Sequence, residues 1–147
     1  MKKILFLAFV SLAFLGCKKD KEEEDNPTSP ILTFVSISSN EAVSYSNDLK
    51  VIFSYEDFQG DLGEDDPDAL TLWVKDARLD AADYYHVPPM TPENQELHIK
   101  GNYEVSLNTL FLLGNGAAET TKFTIQLRDR AGNVSNIIET SPVTIIP

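Results

Sequence analysis

Short segments in which every second residue is apolar constrain the fold of this chain more than any other feature. From Leu49 to Tyr55, alternate positions carry large apolar side chains, and the segment 123–127 repeats this pattern. A period of two residues is typical of β-strands that bury one face. Weaker versions occur in four further segments: 31–37, 70–75, 97–107 and 137–146. About seven short strands separated by turns predict an all-β chain that folds as a single antiparallel β-sandwich.

Three details of this prediction concern individual segments. In 31–37 we expect Ile31, Val35 and Ile37 to share one face, and we expect 137–146 to form one final strand. Residues 76–89 fit a short helix and an irregular edge strand equally well, and both alternatives stay open. Pro88 and Pro89 end that segment, because proline cannot donate to a strand ladder.

The first residues of the chain have the three parts of a secretory signal. Lys2 and Lys3 precede an apolar run from Ile4 to Leu15, and Gly16 supplies a small residue before Cys17. The run is too short to cross a hydrocarbon core, which needs about 20 apolar residues. Residues 1–16 are therefore predicted to be a signal peptide that is removed.

Gly16-Cys17 after this apolar run resembles the lipobox of bacterial lipoproteins. The resemblance implies that Cys17, the only cysteine, carries a lipid and becomes the new N-terminus. Phe14 departs from the usual pattern, in which an aliphatic residue stands at that position. Each buried acyl CH₂ contributes about 0.8 kcal/mol to membrane binding, so several chains hold a protein firmly.

An unbroken run of charged residues follows Cys17 and resembles the surface-export signal of Bacteroidota lipoproteins. Its members are Lys18, Lys19, Asp20, Lys21, Glu22, Glu23, Glu24 and Asp25. The alternative is a solvated tether, and both roles are compatible. With the proline-containing linker 26–30, residues 17–30 form a lipidated acidic tether before one domain at 31–147. The resemblance places the protein on the outer membrane, facing the cell exterior.

The chain is strongly acidic, with a formal net charge of −11. Such a surface repels phosphate backbones, so a nucleic-acid partner is disfavoured. A domain of this length buries enough surface for one core. Because its sole cysteine is assigned to the lipid, that core is expected to hold without a disulfide.

Acidic residues are concentrated between residues 56 and 68, where no lysine or arginine occurs. Calcium prefers six to eight oxygen ligands, and dense carboxylates around flexible glycines supply them. The loops of a sandwich gather at its ends, so the hairpin 129–133 can join such a site. The calcium hypothesis has six candidate ligands: Asp57, Asp61, Glu64, Asp65, Asp129 and Asn133. The spacing does not match the EF-hand pattern, and a solvated acidic loop is the alternative.

Two segments resemble parts of known bacterial proteins. Residues 123–135, with Asp129-Arg130-Ala131-Gly132-Asn133, resemble the last hairpin of bacterial immunoglobulin-like and fibronectin-type-III-like modules. The segment 53–63 is similar to the second strand and loop of small Bacteroidota lipoproteins. These resemblances imply an immunoglobulin-like topology, without the disulfide of antibody domains, and leave the ligand open.

Aromatic side chains offer a second candidate site. Trp73, Tyr84 and Tyr85 are candidates for a platform on which sugar rings stack. The alternative is core filling, which we expect for Trp73. Tyr84 and Tyr85 should point to opposite faces if they lie in a strand.

No catalytic pattern is present in the sequence. His86 and His98 have no histidine or cysteine partner at a spacing that suits zinc, and no nucleophile elbow or phosphate loop occurs. We therefore predict a non-catalytic surface lipoprotein that serves adhesion or a surface assembly. The alternative is a glycan-binding accessory lipoprotein of a polysaccharide-utilisation system. Its partners are the membrane, through Cys17, and a protein or glycan at the cell surface.

Overall fold

The computed structural model describes residues 26–46, 48–92 and 95–147, and these residues form ten β-strands and no helix. The strands are β1 (Ile31–Ile37), β2 (Glu41–Val43), β3 (Lys50–Asp57), β4 (Leu70–Asp76), β5 (Asp83–His86), β6 (Ile99–Ser106), β7 (Glu119–Thr121), β8 (Phe123–Leu127), β9 (Ile138–Glu139) and β10 (Val143–Ile146). Within this part of the chain, no helix capable of crossing a membrane is found.

The strands form three sheets. The first has the order β1-β3-β6 and the second β5-β4-β8-β9, and both are antiparallel throughout. The third has the order β2-β10-β7, in which β10 runs parallel to β2 and antiparallel to β7. The four-stranded sheet presents one face to the core and the other to solvent.

One hydrophobic core joins the three sheets. Val51 and Phe53 of the first sheet, Leu72 and Ile125 of the second, and Ile145 of the third are all fully buried. Alternation in β3 and β8 therefore reflects one face on the core and one outside it. The predicted all-β class is confirmed, and the sheets are consistent with a β-sandwich. The immunoglobulin-like topology stays a prediction.

The segment 76–89 contains an edge strand and no helix. Within it, β5 pairs only with β4, with Trp73 opposite Tyr84 and Val74 opposite Asp83. Of the two alternatives left open by the sequence, the edge strand is the one that forms.

The predicted face of β1 is wrong. Ile31 and Val35 are exposed, whereas Leu32 is buried and Phe34 packs against the core. An irregularity in the register lies between Phe34 and Ser36, where β1 pairs with β3. A bulge of this kind shifts the alternation, so one parity cannot hold along the whole strand.

The prediction of one final strand is also wrong. β9 pairs with β8 in the four-stranded sheet, and β10 pairs with β2 and β7 in another. The chain changes sheets at residues 140–142, where Thr140 Oγ1 accepts a hydrogen bond of 3.1 Å from the backbone N–H of Phe123. Ile138 and Ile145 thus enter the core from two sheets.

Candidate functional site

The acidic loop after β3 is closed by a buried carboxylate. Asp57 is 0% exposed, and its carboxylate accepts hydrogen bonds from the N–H groups of Gln59, at 3.2 Å, and Asp61, at 2.9 Å. Burial raises the pKa of Asp57; the N–H of Gln59 opposes this shift, and the negative charges of Asp61 and Asp129 reinforce it. Asp57 is therefore part of the loop's internal structure, whereas the alternative of a solvated loop suits Asp65, Asp66 and Asp68, which are exposed.

The hairpin after β8 is built in the same way. Asp129 is 1% exposed and accepts hydrogen bonds from the backbone N–H of Asn133, at 2.7 Å, and from its side-chain amide, at 3.0 Å. The hairpin also contacts the acidic loop, because the N–H of Ala131 donates to Asp61 Oδ2 at 3.0 Å. The expected meeting of these two loops is therefore observed.

The same two loops share an arginine that sequence reasoning did not single out. The guanidinium of Arg130 donates to the carbonyl of Gly63 at 3.0 Å and to the hydroxyl of Thr91 at 3.2 Å, and Thr91 in turn donates to the carbonyl of Gly60. Nothing in the sequence around Arg130 indicates these long-range partners.

The calcium hypothesis stays a prediction. Asp57, Asp61, Asp129 and Asn133 belong to one hydrogen-bonded region, but Glu64 and Asp65 take no part in these hydrogen bonds. In the part of the chain that the structure describes, no group of three or more His, Cys, Asp or Glu is arranged to hold a metal ion. The observed chemistry of the buried carboxylates is the acceptance of N–H groups that close turns.

A different surface holds the aromatic candidates. The sequence led us to expect Trp73 in the core, and this prediction is wrong. Trp73 is half-buried between Leu72 and Val74, both of which face inward, so its side chain lies on the outer face of the four-stranded sheet. Directly opposite it on β5 stands Tyr84, which is 58% exposed. The two ring centroids are 6.4 Å apart and the ring planes are inclined by 47°.

Trp73 is fixed in place by its other neighbour. On β8, Gln126 stands opposite Trp73 and accepts a hydrogen bond of 3.1 Å from the indole Nε1. The amide nitrogen of Gln126 donates in turn to the carbonyl of Ser135 at 3.2 Å. Tyr84, Trp73 and Gln126, which we call the aromatic row, therefore cross three neighbouring strands on one face of the sheet.

Tyr85 belongs elsewhere. It packs against the core, and its hydroxyl accepts a hydrogen bond of 2.9 Å from the N–H of Asn108. The prediction that Tyr84 and Tyr85 point to opposite faces is confirmed. Tyr85 is consequently separated from the aromatic row.

Comparison with protein families, with curated proteins and with solved structures finds no match to this chain. The resemblances named above therefore stay predictions. So do the lipidation of Cys17 and the export signal at 18–25, because both lie outside the described residues.

A partly buried ionic cluster lies on the inner side of the sheet. The guanidinium of Arg78 bonds Asp76 at 2.7 Å and Glu119 at 2.6 Å. Burial alone would raise the pKa of Asp76, but hydrogen bonds from Arg78 and from the Thr121 hydroxyl outweigh it and lower that pKa. No sequence pattern links Glu119 to Arg78, since their pairing depends on tertiary structure.

A cavity of about 110 Å³ adjoins this cluster. Val74, Leu107 and Phe123 supply apolar lining, and Asp76 and Arg78 supply the charged part. Since Arg78 bonds to Asp76, Glu119 and the carbonyl of Phe111, most of its donors are already used. The arrangement fastens the segment after β6 to the sheet.

Proposed function

We propose that this chain is a non-catalytic glycan-binding module that an N-terminal lipid holds at the outer membrane, facing the cell exterior. The pair of half-buried Trp73 and exposed Tyr84 on the outer face of the four-stranded sheet carries this proposal. Aromatic rings bury large areas and offer flat faces on which the C–H surface of a sugar ring packs. The position of both rings on the outer face of one sheet, outside the hydrophobic core, supports the glycan alternative over core filling.

The side chains of the aromatic row are held in fixed conformations, which supports the same function. Gln126 holds Trp73 by a hydrogen bond. The carbonyl of Ser135, in the segment before β9, holds Gln126 in turn. A side chain that is already ordered loses less conformational freedom when a ligand binds, so more of the contact energy appears as affinity. The inclination of the two rings makes the surface twisted, which suits a single glycan chain better than a flat crystalline face.

The proposed location depends on the N-terminal sequence. A lipid on Cys17, followed by the charged residues 18–25 and the linker 26–30, would tether the β-domain to the bilayer. A module in that position meets extracellular glycans without crossing the membrane. This location suits a protein that captures polysaccharide for other components of the cell surface.

Adhesion or assembly through a protein partner is the second candidate. Ile137 is 62% exposed and precedes β9, which pairs with β8 beside the aromatic row. Apolar side chains next to aromatic ones are common in protein interfaces. Replacing Ile137 with Asp would weaken a protein contact there but should leave stacking on Trp73 intact.

The test uses the full-length protein, purified in a polyoxyethylene detergent because alkyl glycosides would compete for the site. Affinity electrophoresis through gels that contain neutral and acidic polysaccharides measures binding. We expect at least one polysaccharide to retard the protein, and Trp73→Ala to weaken that binding by about tenfold or more, equivalent to about 1.4 kcal/mol. Tyr84→Ala should have a smaller effect.

Tyr45→Asn is the matched control, because Tyr45 is 78% exposed and lies outside the four-stranded sheet. Asparagine suits its left-handed backbone, with φ of 66°. The control should bind like the wild type. If no polysaccharide retards the protein, or if Trp73→Ala is retarded as strongly as the wild type, the proposed function is wrong.

A further inference from the structure

Most positive side chains in the described part of the chain are already paired. Lys50 bonds Glu104 at 2.6 Å, Lys122 bonds Glu139 at 2.6 Å, and Arg78 bonds two acids. The guanidinium of Arg130 donates to carbonyl groups and to the Thr91 hydroxyl. Lys75, Lys100 and Arg128 remain, and none of these three side chains forms an ion pair with another described residue.

Two of the three unpaired cations flank the aromatic row. Lys75 is exposed on β4, two residues after Trp73 and on the same face, and it stands opposite Thr124. Arg128 is exposed two residues after Gln126, where its N–H donates to the carbonyl of Thr71 at 2.9 Å. Because β4 and β8 are antiparallel, the two cations lie on opposite sides of Trp73, each about 7 Å away along the strands.

The same face has little opposing charge. Its one acid on the neighbouring strands, Glu139, is bound to Lys122. Two free cations thus stand in an exposed position on a chain whose formal net charge is −11. Exposed cations that form no ion pair with a described residue are available to an anionic ligand, and these two lie beside an aromatic pair.

On this basis, and resting on the proposed glycan function, we propose that the ligand is an acidic glycan whose uronic-acid carboxylates pair with Arg128 and Lys75 while a sugar ring stacks on Trp73. The forked guanidinium of Arg128 suits a carboxylate, to which it can donate two parallel hydrogen bonds. Lys75 offers a flexible point charge on the other side.

A uronic-acid chain also fits the charge of the whole molecule better than a nucleic acid does. Duplex DNA carries one charge per about 1.7 Å of axis, and the acidic chain would repel that density strongly. A uronic-acid chain has at most one carboxylate per sugar. At physiological ionic strength, repulsion from acids further than about 8 Å is largely screened, so the two local cations dominate.

The test compares acidic polysaccharides with their own uncharged forms. Full-length protein in polyoxyethylene detergent is titrated with polygalacturonate, alginate and hyaluronate, and with each polymer after chemical reduction of its carboxyls to alcohols. We expect the wild type to bind at least one acidic polymer about tenfold more tightly than its reduced form. The double variant Lys75→Gln/Arg128→Gln should bind both forms alike.

Lys100→Gln is the matched control, because Lys100 is the third unpaired cation and lies on β6 of another sheet. It should keep the wild-type preference. Equal binding of acidic and reduced polymers by the wild type, with loss in Trp73→Ala, overturns the inference and leaves the proposed function standing. Binding to none of the three acidic polymers also overturns it, and the neutral polysaccharides then decide whether the proposed function survives. Equally tight binding of a single-stranded DNA oligonucleotide would assign the face to nucleic acid and overturn it as well.

Discussion

The indole nitrogen of Trp73 donates a hydrogen bond of 3.1 Å to Oε1 of Gln126, its cross-strand neighbour on β8. This bond fixes a large, half-buried ring on the solvent side of the sheet. Because Gln126 is itself held by the carbonyl of Ser135, the ring's orientation is set before any ligand arrives. The proposed binding surface is therefore a property of the folded sheet.

Gln126→Ala tests this preorganisation. Loss of the hydrogen bond should reduce the free energy of unfolding by about 1 kcal/mol. Glycan affinity should fall several-fold, because the freed ring must be ordered on binding. Urea denaturation and affinity electrophoresis measure the two effects. Thr124→Ala, on the same strand face, is the control, and an equal loss of affinity in that variant would contradict the role of Gln126.

Another side-chain amide links β1 to the segment that leads into β9 of the four-stranded sheet. Asn136 Oδ1 accepts a hydrogen bond of 2.8 Å from the N–H of Leu32, and its Nδ2 donates to the Leu32 carbonyl at 2.9 Å. Asn136→Ala should lower the free energy of unfolding by about 1–3 kcal/mol, because both backbone groups of Leu32 lose their partner. Urea denaturation of the purified variant measures this loss.

The control for Asn136 is Asn102→Ala, which changes an exposed amide on β6. It should alter stability by less than about 0.5 kcal/mol, as is usual for surface positions. Equal stability of Asn136→Ala and the wild type would show that the link between β1 and the segment before β9 contributes nothing.

Two glycines with positive φ separate steric crowding from backbone strain. Gly63 has φ of 83° and a Cβ there would overlap the carbonyl oxygen of Pro88, whereas Gly132 has φ of 92° and open space around it. Gly132→Ala should cost about 1–2 kcal/mol from backbone conformation alone. Gly63→Ala should cost about 2–5 kcal/mol, because overpacking adds to the strain. Similar thermal melting points for the two variants would argue against the close approach of the loop to Pro88.

The Asp76–Arg78 pair makes stability depend on pH with a defined sign. The pKa of Asp76 is lowered in the folded state, so its stabilising effect is present above its ordinary value of 3.8 and is lost as the pH falls through the folded pKa. Asp76→Asn should lower the free energy of unfolding by about 1.5–3 kcal/mol at pH 7, because Arg78 loses a charged hydrogen-bond acceptor but keeps Glu119. Urea denaturation at a series of pH values below 7 should show that the stability difference between the wild type and Asp76→Asn becomes smaller as the pH falls.

Asp57 supplies the control of opposite sign. Its pKa is raised from 3.8 in the folded state, chiefly by burial, so its contribution is largest below 3.8 and is lost as the pH rises through the folded pKa. The stability difference between the wild type and Asp57→Ala should therefore grow as the pH falls. Two differences that change in the same direction would contradict this assignment of the carboxylates.

The sequence identified the buried face of a strand where only one face is apolar, and failed to do so where both faces are. In β3 and β8, alternation identified the buried side chains Phe53 and Ile125 correctly. In β4, large apolar residues occupy both parities, so the exposed side of Trp73 could not be distinguished from the core side. Which parity faces inward there is decided by the pairing of β4 with β5 and β8.

Features that depend on distant partners were also beyond prediction. A shift in register at Phe34 and the change of sheet after β9 reflect how other strands pack, not local preference. The acidic loop and the hairpin were expected to meet because loops of a sandwich gather at its ends. The contacts that join them, such as Ala131 to Asp61, follow from tertiary structure alone.

Fluorescence of Trp73 tests the central claim most directly, because it is the only tryptophan in the chain. Titration of the full-length protein with a polysaccharide that retards it should change the emission wavelength or intensity saturably. The midpoint should match the affinity measured by calorimetry, because the sugar ring covers the indole. Binding seen by calorimetry with unchanged tryptophan emission would place the ligand elsewhere and contradict the assignment of the aromatic row as the binding site.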